Sequence, residues 1–246
     1  MACEIVAEVA TAHGGDIALA KEMIARCAEA GAHWVKFQSY QTKHLRPGDP
    51  QEAWLKQAEL SDDAHYELKA ACEAAGVKFL TTIFTMDRVQ FLAGLGLSTI
   101  KIGSGECHER ELTTACGEYW STILVSYDPY YPYGLITHNT KLSLPRFMRC
   151  ISRYPTPLAF ARRVAVVGGY QNMAGGWCGW SDHCIGLEAC EDAIMSGAQY
   201  IEKHVQFDNQ KRPSQPWEMT LSELKQLRKF VDDGPERFIA RWQYGL

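Results

Sequence analysis

A chain of 246 residues, 46% of them hydrophobic, is long enough to bury a large core, and its length suits one eight-fold β/α barrel better than two average domains. A formal net charge of -4, from 25 Lys plus Arg against 29 Asp plus Glu, supplies no basic field for nucleic acid, and 22% charged residues without a long like-charge block exclude a disordered interaction protein. The N-terminus carries Glu4 and Glu8 but no basic leader, and no 18-residue apolar segment occurs, so neither a signal peptide nor a membrane span is expected.

The nine cysteines are an odd number, scattered, with no CxxC pair; they read as reduced thiols in a cytoplasmic protein. The first predicted strand covers residues 4–9 and ends near Glu8. After Gly14-Gly15, Asp16 caps a helix over 17–30, where Ala20, Ile24, Cys27 and Ala28 repeat at helical spacing. A second strand covers 33–39, with Val35 and Phe37 facing opposite to Trp34, Lys36 and Gln38. A polar loop leads to a short helix near 52–60, placed over the barrel mouth. Ser61 or Asp62 caps the next helix, which runs to Ala75 and stops at Gly76. The third strand is 77–81, with Thr82 and Phe84 just beyond it; a helix follows over 86–94. The fourth strand, 99–102, leads into Gly103-Ser104-Gly105-Glu106, and a helix over 109–118 precedes the fifth strand, 121–126.

The rhythm then breaks. Residues 127–140, YDPYYPYGLITHNT, hold two prolines and four tyrosines and leave little room for a full fifth helix. The sixth strand is 147–151, and Tyr154-Pro155-Thr156-Pro157 launches a helix over 158–166. A seventh strand ends at Trp180-Ser181-Asp182-His183, a helical stretch covers 187–196, and the eighth strand is 199–205. The closing helix, 220–231, opens with Thr220 and Glu223 in a capping box. Eight strands in one direction, separated mostly by helices, predict an α/β fold: one (β/α)8 TIM barrel over 1–246 with a shortened or irregular fifth helix.

In such a barrel the C-terminal strand ends form the active-site face. Every predicted strand puts polar groups there: Glu8; Lys36 and Gln38; Thr81 and Thr82; Lys101 with Ser104 and Glu106; Ser126; Arg149; Asp182 and His183; Glu202, Lys203 and His204. Lys36, Lys101, Arg149 and Lys203 set cations opposite carboxylates, which suits a phosphate or a carboxylate-bearing metabolite. The glycines at 103 and 105 let backbone N–H groups approach an anion. Each lysine also has a plain alternative, snorkelling from a barrel rim. His13 is evenly balanced between a loop polar group and a substrate contact, and His33, His44, His65, His108 and His138 read as surface or packing residues. Tyr127, Tyr130, Tyr131 and Tyr133 form either a substrate wall or an oligomer contact.

Several of these stretches, in this order, resemble the sialic acid synthase family. The resemblance rests on Ala7 to Gly14 (AEVATAHG), Lys36-Phe37-Gln38, Thr81-Thr82-Ile83-Phe84, Lys101 to Glu106 (KIGSGE), Tyr154 to Pro157 (YPTP), Ser181-Asp182-His183 and Ile201 to His204 (IEKH). It implies a barrel enzyme that joins phosphoenolpyruvate to the carbonyl carbon of an aldehyde sugar, giving a 2-keto-3-deoxy acid and phosphate. Carried over, Lys36, Thr82, Lys101, Ser104 and Ser126 hold phosphoenolpyruvate, Glu8 activates the attacking water or manages proton transfer, and Gln38 and Glu106 face the acceptor. Asp182 and His204 are expected to touch substrate as well, and Lys101, Glu8, Arg149 and His183 to be catalytic.

The family binds a divalent metal, manganese or magnesium, through two histidines; here one position is Arg149 and only His183 remains. A guanidinium cannot coordinate a cation, so either Arg149 supplies positive charge itself or the site has lost the original reaction, and no metal ligand is assigned. The match is to the barrel alone, without the family's small C-terminal antifreeze-like domain, and Arg212-Pro213-Ser214-Gln215-Pro216 replaces the usual Gly-Pro-Asp stretch. The alternatives are a lyase or aldolase acting on a small anionic substrate, or a non-catalytic binding protein. A homo-oligomer is expected, with no nucleic acid and no membrane as partners.

Overall fold

The computed structural model describes residues 3–130, 145–165 and 177–234. Its strands are β1 (Glu4–Glu8), β2 (Trp34–Ser39), β3 (Lys78–Ile83), β4 (Thr99–Ile102), β5 (Thr122–Tyr127), β6 (Arg146–Cys150), β7 (Trp177–Asp182) and β8 (Tyr200–His204). Each pairs in parallel with the next, and β8 returns to β1, closing the barrel. The described helices are α1 (Ile17–Glu29), α2 (Glu52–Ala58), α3 (Asp62–Ala74), α4 (Val89–Gly94), α5 (Arg110–Tyr119), α6 (Leu158–Ala165), α7 (Glu188–Met195) and α8 (Leu221–Asp233). Thr82 lies within β3 rather than beyond it, and a 3-10 turn, Met86–Arg88, precedes α4 where one continuous helix was expected. The shortened or irregular fifth helix expected from the sequence falls mostly on residues outside the described ones, as do Tyr131, Tyr133 and His138.

Side-chain chemistry sets the helix starts. Asp16 Oδ1 accepts from the Leu19 N–H at 3.0 Å, and Ser61 Oγ, rather than Asp62, accepts from Ala64 N–H at 3.1 Å. Thr220 and Glu223 complete the expected reciprocal box at α8.

Alternation along the strands then sorts the core from the site. One set of residues, Ile5, Ala7, Val35, Phe37 and Ile201 among them, packs outward against the helices. Val6, Trp34, Leu80, Leu124, Met148 and Cys178 make a separate apolar floor inside the barrel. A step of two along a strand keeps the same face and climbs toward its C-terminal end. That step leads from Val6 to Glu8, from Trp34 to Lys36, from Leu80 to Thr82, from Leu124 to Ser126 and from Met148 to Cys150, so the polar layer stands directly on the floor.

Gly179 marks the tightest point of the wall. It pairs with Tyr200, and a Cβ there would lie 2.3 Å from the Tyr200 carbonyl oxygen. Gly179→Ala is expected to push β7 from β8 and to destabilise the fold by about 1–3 kcal/mol, typical of overpacking. A urea unfolding curve checks this through a lowered midpoint with unchanged slope.

Candidate active site

The polar layer lines a cavity of about 230 Å³ at the C-terminal ends of the strands. Of the residues predicted from sequence, Glu8, Lys36, Gln38, Thr82, Lys101, Ser104, Glu106, Ser126, His183 and His204 all line it. Their convergence follows from closure of the barrel, since β1 and β8 are neighbours and Glu8 stands in register with His204.

Two lysines and two carboxylates form the centre. Glu8, Lys36, Lys101 and Glu202 are 2%, 4%, 1% and 6% exposed, so each charge depends on its neighbours rather than on water. Lys36 Nζ lies 2.7 Å from Glu8 Oε2 and 3.5 Å from Glu202 Oε2, and it donates to Thr82 Oγ1 at 2.8 Å. Lys101 Nζ donates to Ser126 Oγ at 2.6 Å and to the Ile102 carbonyl at 2.9 Å, with Glu202 Oε2 at 3.9 Å. Ser181 Oγ donates to Glu202 Oε1 at 2.9 Å. Lys36 Nζ lies against Glu8 Oε2 as an ion pair, while Glu8 Oε1 and Glu202 Oε2 are buried without a hydrogen-bond donor among the described residues.

These surroundings push the two carboxylates apart. Burial raises Glu8 to about 7, with Lys36 only partly offsetting it and Glu202 adding to it. Burial also acts against ionised Glu202, but Lys101, Lys36 and the Ser181 hydroxyl outweigh it and hold the group at about 2. Burial opposes the charge on Lys36, and Glu202 and Glu8 more than compensate, so its pKa is raised; for Lys101 burial prevails and the pKa falls. Burial lowers both His183 and His204, the latter aided by His183 and Lys36, so both rings are neutral near pH 7.

Glu106 guards the opposite side. Burial raises its pKa. Gly103 admits its carboxylate, for a Cβ at 103 would lie 2.6 Å from Glu106 Oε2.

Two predicted site residues face elsewhere. Arg149 pairs in register with Tyr127 and Trp180 on the helix-facing side of the sheet, where its guanidinium donates to the Val164 carbonyl at 3.2 Å and lies 4.8 Å from the centre of the Trp177 ring. It therefore does not supply charge to the cavity. Asp182 also points outward and pairs with Lys203, whose Nζ donates to the Cys184 carbonyl at 2.7 Å; Trp180 Nε1 donates to Asp182 Oδ1 at 2.8 Å. That pair ties β7 to β8 beneath α7 and removes Lys203 from the cavity's cations. The cause in both cases is strand parity, because a residue one step off faces the other side. His13 lies outside the cavity lining; its Nδ1 accepts from the Gly15 N–H at 3.0 Å and its ring packs on Phe37.

Glu202 carried no assigned role in the sequence reading, and Cys150, Tyr154 and Ser181 were not selected, yet all line the cavity. Counting two residues from Met148 reaches Cys150, and Ser181 stands in register with Glu202. Tyr154 comes from the loop after β6 and packs its ring 4.1 Å from that of His183.

Of the two positions that the family resemblance gives to a metal, one lines the cavity and the other faces the helices. His183 faces the cavity with Nδ1 against the Ile151 carbonyl, but the second position is the outward-facing Arg149. His204 Nδ1 is buried without a partner, its ring 5.9 Å from that of His183. No three His, Cys, Asp or Glu groups among the described residues are arranged to hold a metal ion.

Because removing one member of a buried ion pair strands the other charge, Lys203→Met is expected to destabilise the fold by about 3–5 kcal/mol. Replacing Asp182 by Leu as well is expected to recover part of that loss, which chemical unfolding of the single and double variants measures.

Comparison with known proteins adds an independent observation. A model described as the NeuB family matches residues 23–234. N,N'-diacetyllegionaminic acid synthase of Legionella pneumophila is 28% identical over 95% of this chain and 72% of that protein. N-acetylneuraminate-9-phosphate synthase of Drosophila melanogaster is 28% identical over 91% of this chain and 65% of that protein. The crystal structure of N-acetylneuraminic acid (sialic acid) synthetase from Leptospira borgpetersenii, in complex with citrate, superposes with a TM-score of 0.82 at 25% identity, over 95% of this chain and 84% of that one.

Proposed function

The chain belongs to the NeuB family, and from that membership and the charged cavity we propose that it condenses phosphoenolpyruvate with an aldehyde or aldose-like sugar to give a 2-keto-3-deoxy acid and phosphate. The observation that carries this reading is the pair of buried lysines, Lys36 and Lys101, flanked by the hydroxyls of Thr82 and Ser126. Two ammonium groups and neighbouring hydroxyls suit a small molecule bearing both a carboxylate and a phosphate. Ser104 extends the same wall, while Gln38 and Glu106 face the acceptor.

In this reading the methylene carbon of phosphoenolpyruvate attacks the aldehyde carbon, and the new alkoxide takes a proton from Glu8. A water then adds to the central carbon and returns a proton to Glu8. The hemiketal hydroxyl gives its proton to the departing phosphate as the bond between the central carbon and the phosphate's bridging oxygen breaks, leaving the ketone. A carboxyl group raised to about 7 is suited to both transfers near neutral pH. Arg149 has no part in them; His183 borders the acceptor with Tyr154 packed on it.

The relatives reported above carry the names of synthases, which gives the lyase and binding-protein alternatives no support. We also propose a cytoplasmic homo-oligomer. Nine free, buried cysteines support a reducing compartment, and among the described residues no helix is long and apolar enough to cross a membrane.

The test is incubation with phosphoenolpyruvate and a panel of aldehyde sugars, following inorganic phosphate and the mass of any 2-keto acid. Lys101→Ala is expected to reduce phosphate release by about 100- to 1000-fold, the scale of losing one electrostatic contact to the transition state. Undiminished release from that variant overturns the role given to Lys101. Absence of a condensed acid from every sugar in the panel overturns the reading.

A further inference from the structure

Beyond the polar layer stands a second, smaller one. Two residues past Ser126 of β5 comes Asp128, and two residues past Cys150 of β6 comes Ser152. Ser104 meets them from the loop after β4, with its hydroxyl oxygen 2.8 Å from that of Ser152.

Asp128 is 5% exposed, and backbone N–H groups rather than a cation answer its charge. Its Oδ1 accepts from the Tyr130 N–H at 2.8 Å and its Oδ2 from the Ser152 N–H at 2.6 Å. The second bond fixes a peptide unit that is also held on its other side. The Ile151 carbonyl, on the same peptide as the Ser152 N–H, accepts from His183 Nδ1 at 2.9 Å. A peptide unit is planar, so anchoring both its N–H and its C=O sets where the Ser152 side chain begins. The Ser152 hydroxyl is thereby presented to Ser104.

Ser104 needs such support. It sits between Gly103 and Gly105, whose backbones have the widest choice of conformations, so its own loop does not hold the hydroxyl in one place. What meets that hydroxyl is Ser152 Oγ, with the Cys150 thiol within hydrogen-bonding reach of both. Burial pushes that thiol up to about 12, so it stays neutral and adds no charge to the wall. Each hydroxyl has one proton to donate; when Ser152 gives its own to Ser104, the Ser104 proton is left for an anion in the cavity.

We propose that Asp128 is a positioning residue: by anchoring the Ser152 N–H it holds the Ser152 hydroxyl as the donor to Ser104, which keeps the Ser104 hydroxyl aimed at the anionic substrate. The inference rests on the synthase reading above and deepens it, since the anion in question is phosphoenolpyruvate. Asp128 acts through Ser152 and Ser104 and touches no reacting atom.

A carboxylate in this wall repels a bound anion, so its removal would by charge alone tighten binding. Loss of positioning weakens it. The two effects have opposite signs.

The experiment is calorimetric titration of phosphoenolpyruvate into the full chain and into Asp128→Ala, Ser104→Ala and the double variant, each with and without manganese chloride. Ser104→Ala is expected to weaken binding by about tenfold, the scale of one hydrogen bond to a charged group. Asp128→Ala is expected to weaken it by about the same factor although a repulsive charge is gone, and to have no further effect when Ser104 is already alanine. A carboxylate that merely supports the fold weakens binding equally in both backgrounds, and the double variant then loses about a hundredfold.

Unchanged or tighter binding in Asp128→Ala overturns the inference and leaves the synthase reading standing, as does a multiplied loss in the double variant. No binding of phosphoenolpyruvate to the native chain under either condition overturns both. Should Asp128→Ala fail to fold, Asp128→Asn and Ser152→Ala decide. An amide offers one acceptor oxygen to two N–H groups and turns a donor toward one of them, so Asp128→Asn is expected to weaken binding by about threefold, and Ser152→Ala by about tenfold. Neither adds to Ser104→Ala if the proposal holds; additive losses, or none, overturn it.

Discussion

Two ammonium groups buried in one cavity repel each other, and the active-site end of this barrel is arranged around answering that repulsion. Glu202 lies near both Lys36 and Lys101, and Glu8 lies against Lys36 from the neighbouring strand. Each of the four is nearly closed to solvent, so an isolated charge here would be strongly disfavoured. The arrangement leaves Glu202 firmly ionised and Glu8 close to its titration point at neutral pH. A cavity that must hold an anion and move protons needs both conditions, a lasting cation and a carboxyl group able to change state.

Barrel geometry supplies the positions. Closure brings β1 beside β8, and parallel register sets Glu8 level with His204 and Ser181 level with Glu202. The apolar floor below excludes water from the base of the cavity, which strengthens each interaction above it. On the opposite face of the same two strands, Asp182 and Lys203 form a second buried ion pair, with Trp180 and the Cys184 carbonyl satisfying the remaining polar atoms. β7 and β8 thus carry one charged system toward substrate and another toward the helices. The outer pair fixes the strands whose inner residues are Ser181, Glu202 and His204.

Arg149 shows why a substituted family position has to be read in three dimensions. In the linear pattern it stands where a metal-binding histidine is expected, and a positive charge looks like a replacement for the metal's. In the fold its guanidinium lies over Trp177 and against the Val164 carbonyl, while Cys150, the next residue, faces the cavity. Its charge helps hold α6 to the sheet.

Hydrophobic periodicity, cap residues and glycine positions were enough to give eight parallel strands in order and most element boundaries to within one or two residues, because those signals are local. Motif spacing likewise brought Glu8, Lys36, Lys101 and Ser126 to one barrel face, since strand ends converge wherever a barrel closes. What the tertiary structure decided was which way the residues near each strand end face. Asp182 and His183 are adjacent in sequence, as are Lys203 and His204, yet only the histidine of each pair lines the cavity. Parity reverses with every residue, and the irregular register between Phe147 and Met148 shifts the count on the β6 and β7 pair. The division of labour between Glu8 and Glu202 was equally out of reach of the chain alone, because a carboxyl group's protonation depends on the charges that four separate strands bring within a few ångströms of it.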